Sequence, residues 1–566
     1  MGNAIAELIR RRPLVLLFLV CFVAWLPGFF SLPPLDRDES RFAQASKQML
    51  ESGNFVDIRF GNEPRYKKPV GIYWLQAAAT EAVSAATGDH VRNHIWTYRI
   101  PSLIGAFAAV ALTFWCASAF LEVEASFLAA LLMGLTLLLS AEAKIAKTDA
   151  VLLATVVGAM AVLLRAYLAR DPERPPLSVT TAMLGWLAFA IGILIKGPVI
   201  VGVVGVTVAA LALWDREWRW LGKLYPARGA VLTLFVVLPW LLAIWFASHG
   251  QFYSQALGHD FGAKLAGGQE THGQPPGYYL LMTTATLWPA TLFLIPAVAM
   301  AILRRREPAM RFLIAWAGAS WLLFEIVPTK LPHYIMPAYP ALAIAMAAFV
   351  AMPEPQNAPR WWRMLPAFSA GHFLIGSGLI AVALVWLPKL YGTGTSLDLM
   401  IGAGAVALLC LGAATALLRG AKSGAVLFAG AAALIAYAVL MLDVAPRLEQ
   451  IWVSPREAAL IQANTKPGDP APVLAGYTEP SAMFLIGTGT HLASAYAAAD
   501  IAAAQGGLAA IEDGQRPVFA AHLAELEASA VPVGALEGFN YSRGRPIRIT
   551  LYRVTPTAMV TSPPEE

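Results

Sequence analysis

Three acidic residues and an arginine stand close together shortly after the first apolar run of the chain: Asp36, Asp38, Glu39 and Arg41. Carboxylates at a membrane boundary, beside a groove, can orient an acceptor group or take its proton. The same residues also suit a helix start, with Asp38 as the N-cap and Glu39 against the positive end of the helix dipole. Both interpretations predict a helix beginning at this point.

A second acid, Asp149, follows Lys144 and Lys147 at the start of another apolar run. It could be a solvated flank of a membrane span. A carboxylate among lysines suits an anionic substrate poorly unless it orients one specific group. Asp149 is therefore a candidate for a second orienting acid.

Lysines recur in the segments that connect the apolar runs: Lys67, Lys68, Lys196, Lys264 and Lys330, with Tyr66 and Tyr334 close to them in the chain. Lysine ammonium groups and tyrosine hydroxyls stabilise phosphate oxygens, so a bound phosphate explains this set. Contact with anionic lipid headgroups is the alternative explanation.

Histidines and cysteines give weaker signals. His249, His259 and His272 share one connecting segment, but their spacing is not diagnostic of zinc, so a divalent metal is possible but not indicated. The three cysteines all lie inside apolar runs, which is typical of small buried hydrophobic residues, and they suggest no disulfide framework.

The composition indicates that membrane helices position these residues. The chain has 566 residues, 58% hydrophobic and only 14% charged, which favours a polytopic membrane protein. The net charge of +5 comes largely from arginines in short gaps between apolar runs, a distribution typical of membrane topology and not of nucleic-acid binding.

A membrane-spanning helix needs about 20 apolar residues, and thirteen candidate runs are present. They are 13–30, 98–120, 125–140, 149–168, 181–196, 198–214, 229–248, 278–303, 311–327, 334–352, 364–388, 399–419 and 424–442. The first run follows Arg10, Arg11 and Arg12 and lacks a small-residue cleavage site. We interpret it as an uncleaved span with a cytoplasmic N-terminus.

Alternate connecting segments then carry the arginines, as expected on the cytoplasmic side, and only the turn 121–124 lacks them. The odd number of spans places the C-terminus outside. The positive-inside rule does not explain the lysines named above, which fall on the outer side. Two outer loops are long, 31–97 and 249–277. In the first of them, Asp38–Glu51 and Ile72–Ala86 are expected to form amphipathic helices at the membrane interface.

Residues 1–442 are therefore predicted to form the membrane domain, and residues 443–566 a small periplasmic α/β domain. The second unit contains short runs typical of strands, 472–475, 483–486, 517–520 and 547–554. Stretches typical of helices, 455–464 and 521–528, lie between them.

Several short motifs together resemble the ArnT-type lipid A glycosyltransferases, GT-C superfamily enzymes related to protein O-mannosyltransferases. The motifs are DESRFA at 38–43, MLESG at 49–53, RYKKP at 65–69 before Tyr73-Trp74, Thr148-Asp149, IKG at 195–197, His272 and QP at 274–275 before Tyr278-Tyr279, and KLPHY at 330–334. The outer C-terminal α/β unit also resembles that family.

This resemblance implies transfer of one sugar from a polyprenyl-phosphate donor to lipid A or another lipopolysaccharide acceptor, on the periplasmic side of the bacterial inner membrane. No other cofactor is implied for certain. Asp38 would be the catalytic carboxylate, Asp149 a second orienting acid, and Lys68 a catalytic cation. The expected substrate-binding residues are Glu39, Arg41, Tyr66, Lys67, Lys196, His259, Lys264, His272, Lys330 and Tyr334.

One position departs from the family. The aminoarabinose enzymes carry an acid immediately before the lysine that Lys68 matches, and here that position is Lys67. An acid suits a cationic amino sugar, whereas lysine favours a carboxylated sugar or a neutral hexose. Protein Ser/Thr as the acceptor is an alternative. A lipid or sugar flippase is the alternative from another class, although it would require ionisable residues near the bilayer midplane and discontinuous helices.

Overall fold

The computed structural model describes residues 2–35, 37–256, 258, 273–355 and 358–556. Ten helices in this described part are long and apolar enough to cross a membrane. They are Ile95–Ala117, Asp149–Leu168, Val179–Lys196, Pro198–Asp215, Pro226–Ala247, Pro308–Ile326, Pro332–Ala351, Arg360–Tyr391, Leu397–Leu418 and Lys422–Arg447.

The remaining predicted spans are also helical. Tyr278–Thr286 and Ala290–Leu303 form one apolar pair bent by 115°, and Pro13–Trp25 and Val123–Gly134 are shorter apolar helices. Each of the thirteen predicted runs therefore coincides with a helix or with the bent pair, and the mainly helical polytopic fold is confirmed. Shorter helical pieces in this part are Gly2–Arg11, Leu137–Glu142, Arg219–Leu224 and Gln251–Tyr253.

The helix Asp149–Leu168 lies at the centre of the membrane domain. The apolar stretch of this helix is 94% buried inside the protein, whereas that of the peripheral helix Pro226–Ala247 is 17% buried. Peripheral helices can expose leucine and phenylalanine because lipid tails are as apolar as those side chains. Gly105 lets Ile95–Ala117 approach closely, since a Cβ at this position would lie 2.8 Å from the backbone of Val151. The start of the central helix is therefore held by close packing.

The first long loop folds into two helices joined by a short hairpin. These are Arg37–Ser52, which we call the first-loop helix, and Gly71–Thr87; strands β1 (Arg59–Phe60) and β2 (Glu63–Pro64) lie between them. Both segments are helices, as predicted. Asp38 lies in the first turn and is not the N-cap, because the helix already begins at Arg37. The first-loop helix buries polar Gln44 and Lys47 as well as apolar residues, so protein covers it on more than one face.

The C-terminal unit is a five-stranded sheet with helices, as expected for an α/β domain. The strands are β3 (Val473–Ala475), β4 (His491–Ala493), β5 (Gly507–Glu512), β6 (Ser529–Asn540) and β7 (Arg545–Thr555), in the order β4-β3-β5-β7-β6. β3 pairs in parallel with β4 and β5, and β7 pairs antiparallel with β5 and β6. The helices are Val453–Asn464, Pro480–Ile486, Ala495–Gln505 and Arg516–Glu525.

Two of the four strands predicted in this unit are wrong. Residues 483–486 and 517–520 lie in the helices Pro480–Ile486 and Arg516–Glu525, each of which has a proline in its first turn. A short apolar run does not distinguish a strand from a buried helical turn, and proline at a helix start is the better local signal. The predicted strands at 472–475 and 547–554 correspond to β3 and β7. The last membrane helix runs on to Arg447, a few residues beyond the predicted boundary at 442.

Candidate active site

A cavity of about 360 Å³ lies where the first long loop meets the ends of several membrane helices. Its polar lining consists of Lys67, Lys68, Asp149, Lys196, His333 and Tyr334. Its wall is apolar and is formed mainly by Leu152, Ile193, Leu194, Val199, Val237, Leu241, Phe252, Tyr253, Phe324, Val327 and Met336. The cavity therefore combines a cationic group of side chains with an extended apolar surface.

Helix ends place two of the charged side chains, Lys196 and Asp149, at the cavity. Lys196 ends one membrane helix and Pro198 begins the next, with Gly197 between them at φ +57°. Glycine tolerates this left-handed backbone, so the chain can turn sharply and leave Lys196 at the turn. Asp149 is the first residue of the central helix, where the positive end of the helix dipole favours a carboxylate.

Acids and bases alternate at one side of the cavity and in the layer behind its lining. Lys196 Nζ lies 2.5 Å from Asp149 Oδ1 and 5.2 Å from the centre of the Tyr334 ring. His333 lies between two carboxylates, with Nε2 3.8 Å from Asp149 Oδ1 and Nδ1 3.9 Å from Glu142 Oε1. Glu142 Oε1 is in turn 3.2 Å from Lys147 Nζ. Since charged neighbours surround Asp149, its position is tightly determined.

Asp38 stands beside this group, at the start of the first-loop helix. Its carboxylate oxygen Oδ1 lies 3.3 Å from Arg41 Nη1 and 4.0 Å from Arg65 Nη2, and its side chain is 47% exposed. Partial burial acts to raise the pKa of Asp38, but the positive charges of Arg65, Arg41 and Lys147 outweigh it and hold the pKa at about 2. Asp38 is thus a carboxylate at neutral pH. Its dependence on Lys147 links it to the cavity network.

The structure gives Glu39 a role other than the expected contact with substrate. Glu39 is fully buried and accepts hydrogen bonds from Arg99 at 2.8 and 3.2 Å and from the Ala146 backbone N–H at 2.9 Å. Arg99 also donates to the carbonyls of Phe29, Leu32 and Pro33. This buried pair joins the end of the first span to the first-loop helix, so it shapes the site from behind.

Two other predicted binding residues lie outside the cavity lining. Lys330 is buried, and its Nζ donates to the carbonyls of Gln274 and Val327, both at 3.1 Å. The Tyr66 hydroxyl donates to Asp57 Oδ1 at 2.7 Å, and burial followed by this bond raises the pKa of Tyr66 to about 12. Both side chains therefore fix loop segments next to the cavity.

The remaining predictions divide into two groups. Lys67, Lys68, Lys196, Tyr334 and Asp149 are brought together around the cavity, and Arg41 pairs with Asp38 beside it. His259, Lys264 and His272 lie outside the described residues. Within the described ranges, no group of three histidine, cysteine, aspartate or glutamate side chains is arranged to hold a metal ion.

Sequence reasoning assigned no role to His333, Glu142 and Lys147. His333 stands in the motif KLPHY beside Tyr334, and the acid Glu142 directly follows an apolar run. An ionisable residue at the end of a membrane segment is a signal for function, and it could have identified both residues. Their mutual contacts could not be read from the sequence, since they come from segments almost two hundred residues apart.

This arrangement suits an amphipathic anion. The lysines can neutralise a phosphate group, and the apolar wall can accommodate an alkyl or isoprenoid chain next to it. Two carboxylates, Asp38 and Asp149, lie close by and pair with Arg41 and Lys196. The fold and the cavity together define a polytopic membrane protein with a cavity that combines cationic side chains and an extended apolar surface.

Comparison with known proteins agrees with the motifs. Residues 15–254 match the family model described as dolichyl-phosphate-mannose-protein mannosyltransferase. An undecaprenyl phosphate-α-4-amino-4-deoxy-L-arabinose arabinosyl transferase of Pseudomonas aeruginosa is 30% identical over 348 residues, which are 59% of this chain and 59% of that relative. The corresponding protein of Edwardsiella ictaluri is 26% identical over 381 residues. The matches thus span about three fifths of these curated relatives.

Solved structures share this fold, one of them over its full length. ArnT from Cupriavidus metallidurans bound to undecaprenyl phosphate has a TM-score of 0.74 at 17% identity and covers 100% of both chains. An oligosaccharyltransferase of Archaeoglobus fulgidus has a TM-score of 0.52 at 11% identity and covers 92% of this chain. The predicted resemblance to ArnT-type proteins is confirmed, and the chain has the same fold as the solved ArnT structure.

Proposed function

We propose that this protein is a membrane glycosyltransferase that moves a single sugar from a polyprenyl-phosphate donor to lipid A or another lipopolysaccharide acceptor. The observation that carries the proposal is the cavity in which Lys67, Lys68 and Lys196 face an apolar wall. The full-length likeness to an ArnT that binds undecaprenyl phosphate supports it.

The proposed donor matches the two halves of the cavity. Its phosphate would lie among the three lysines, and its isoprenoid chain would lie along Val237, Leu241 and the other apolar residues of the wall. The sugar would then point toward Asp149 and Asp38. Lysines are suited to this task because a compact ammonium group neutralises phosphate oxygens without requiring one orientation.

In the proposed reaction, an acceptor oxygen attacks the anomeric carbon of the sugar while the bond from that carbon to the phosphate oxygen breaks. The polyprenyl phosphate leaves with the electron pair, and the lysines stabilise its growing negative charge. A hydroxyl acceptor would give its proton to Asp38, which is ionised because its pKa is about 2. A phosphate acceptor attacks through an oxygen that is already anionic, so it needs no base, and Asp38 would then orient the reactants.

The basic side chain at position 67 affects which donor sugar the cavity can accept. Lys67 lines the cavity beside Lys68, where it would repel the ammonium group of aminoarabinose. We therefore propose a carboxylated sugar or a neutral hexose as the donor group. Mass spectrometry of lipid A from cells with and without the gene tests this, and a pentosamine mass increment would contradict it.

Transfer to protein serine or threonine is the second candidate. It is favoured by the match of residues 15–254 to the protein mannosyltransferase family. Glycoproteomics of the same two strains separates the candidates, because only this second activity changes the mass of peptides. A flippase is less well supported. The described part has one sharply bent helix pair, but the cavity charges lie at helix ends.

We propose further that the protein lies in the bacterial inner membrane, with its N-terminus in the cytoplasm and the cavity and C-terminal domain in the periplasm. The support is the arginine distribution in alternate loops. Its own three cysteines are buried, so a single cysteine introduced at exposed Lys466 can report sidedness. We expect Lys466→Cys to react with a membrane-impermeant maleimide in spheroplasts, and protection until lysis would contradict the topology.

The central test is complementation of a deletion strain with Asp38→Ala and with Lys68→Ala, followed by mass spectrometry of lipid A. Both variants should lose the modification at unchanged protein level. Full modification in both would exclude the proposed site. The exposed Arg59→Ala, in the β1–β2 hairpin of the same loop, is the matched control and should retain it.

A further inference from the structure

The C-terminal domain contacts the helix that carries Asp38. Arg37, Gln44 and Glu51 recur every seven residues along the first-loop helix, which is about two helical turns, so they lie on one face. That face meets the helix Pro480–Ile486 and the residues that flank it. We call this short helix the docking helix.

Polar contacts connect the two elements along the full length of that face. Arg37 Nε lies 2.9 Å from Glu479 Oε2, an ion pair that lacks the alignment of a hydrogen bond. Further along, Gln44 Nε2 donates to Thr488 Oγ1 at 2.8 Å, and the Thr488 hydroxyl donates to Glu51 Oε2 at 2.7 Å. The Glu479 side chain is only 6% exposed, whereas that of Arg37 is 42% exposed, so water partly screens the ion pair.

A single aromatic side chain fills the space behind the contact. Phe484 of the docking helix is fully buried and packs in one cluster with Ala43, Tyr98 and Ala146. Its ring meets that of Tyr98 edge-on at 5.5 Å. Ala43 belongs to the first-loop helix, and Ala146 immediately precedes Lys147. The cluster that contains Phe484 therefore joins the segment that carries Asp38 to the segment that carries Lys147.

We infer that Glu479 and Phe484 are positioning residues, through which the C-terminal domain fixes Asp38 relative to Lys147 and Asp149. The inference rests on the proposed function and extends it to residues outside the cavity. The physical reason is geometric. Arg37 adjoins Asp38 in the first turn of the first-loop helix, so loss of the Arg37–Glu479 ion pair would let this turn move and carry the Asp38 carboxylate away from Arg65 and Lys147. A displacement of about 1 Å at a reacting group can lower a rate about a hundredfold.

The test uses the full-length protein in lipid nanodiscs, with a polyprenyl-phosphate sugar as donor and lipid A as acceptor. Glu479→Gln should lower kcat about tenfold while the KM for the donor changes less than about twofold, because donor-binding lysines are untouched. Asp469→Asn, which breaks an ion pair with Arg553 elsewhere in the C-terminal domain, is the matched control and should keep wild-type kcat.

A double-mutant cycle distinguishes positioning from a general loss of packing. Arg37→Gln alone should lower kcat as much as Glu479→Gln, and the double variant should lose no more than either, since both act through one contact. Unchanged kcat in Glu479→Gln, an equal fall in Asp469→Asn, or additive losses in the double variant would each overturn the inference.

Hydrogen exchange supplies a measurement that does not need catalysis. The amides of residues 37–44 should exchange about tenfold faster in Glu479→Gln than in wild type or Asp469→Asn. Absence of sugar transfer by the wild-type protein would contradict the proposed function but leave this measurement valid. Equal exchange in all three proteins would overturn the positioning role by itself.

Discussion

The two ends of the central helix Asp149–Leu168 both hold clusters of charge, yet the clusters differ in one respect. At the Asp149 end, Lys196 and His333 approach the carboxylate at the edge of a cavity. At the other end, about 30 Å away by helix length, Asp215 is enclosed by its partners. The Tyr167 hydroxyl and Arg170 Nη1 both lie 2.6 Å from Asp215 Oδ2, and Arg311 pairs with the other oxygen.

The comparison separates a structural ion cluster from a functional one. Around Asp215 the donors converge on one buried carboxylate, and this group ties several helix ends together. Around Asp149 the cations lie beside space that a ligand can fill. The same residue types therefore serve stability at one end and binding at the other, and the presence of a cavity makes the difference.

The largest expected effect is on catalysis at the cavity end. Lys196→Ala should reduce kcat/KM for sugar transfer about a hundredfold or more, because it removes a charge that stabilises the leaving phosphate. Lys223→Ala at the opposite end, where the ammonium group donates to a backbone carbonyl, should change the rate little. Steady-state kinetics on both purified variants decides this, and equal losses would remove the functional distinction between the ends.

The next largest expected effect is on the stability of the protein, through the Asp215 cluster at the other end of the central helix. Asp215→Asn leaves Arg170 and Arg311 without their partly buried counterion and should lower the free energy of unfolding by about 3 kcal/mol. Thermal unfolding in one detergent would show this as a lower Tm. The folded fraction should retain wild-type kcat, and a fall in kcat with unchanged Tm would reverse the assignment.

A smaller effect is expected on the choice of sugar. Lys67→Glu should raise the ratio of kcat/KM for an aminoarabinose donor to that for a neutral hexose donor about tenfold, through attraction of the ammonium group. Lys67→Gln, which removes the charge without adding an acid, should give an intermediate ratio. Competition between two synthetic donors measures it, and an unchanged ratio in both variants would show that position 67 does not contact the sugar.

The smallest expected effect is that of low pH on the rate of sugar transfer. The pKa of Asp38 is held at about 2, below its ordinary 3.8, so the stability from its pairing is fully present above 3.8 and is lost as pH falls through about 2. Transfer should therefore not lose the Asp38 carboxylate between pH 7 and about pH 4. Arg65→Gln should move the acid limb of the pH–rate profile to higher pH, and an unmoved limb would exclude Asp38 as its source.

Much of the fold could be predicted from the sequence alone because membrane spans depend on local composition. All thirteen apolar runs became helical segments, and the amphipathic pattern after Asp38 became the first-loop helix. Where the signal was only four residues long, prediction was unreliable: the run at 472–475 is a strand as predicted, but the runs at 483–486 and 517–520 are helices. A run of four apolar residues satisfies either structure, and neighbouring elements decide between them.

For the candidate site, the sequence determined which residues carry charge and that several of them stand at the ends of apolar runs. Lys67, Lys68, Asp149, Lys196 and Tyr334 were predicted in this way and do meet at one cavity. Only the tertiary structure decided which charges face that cavity. In the folded protein, Glu39 accepts a hydrogen bond from buried Arg99, and Lys330 donates one to the Gln274 carbonyl. His333 lies between Glu142 and Asp149. The physical reason is that a side chain's function depends on what lies opposite to it, and helix packing brings those partners from distant parts of the chain.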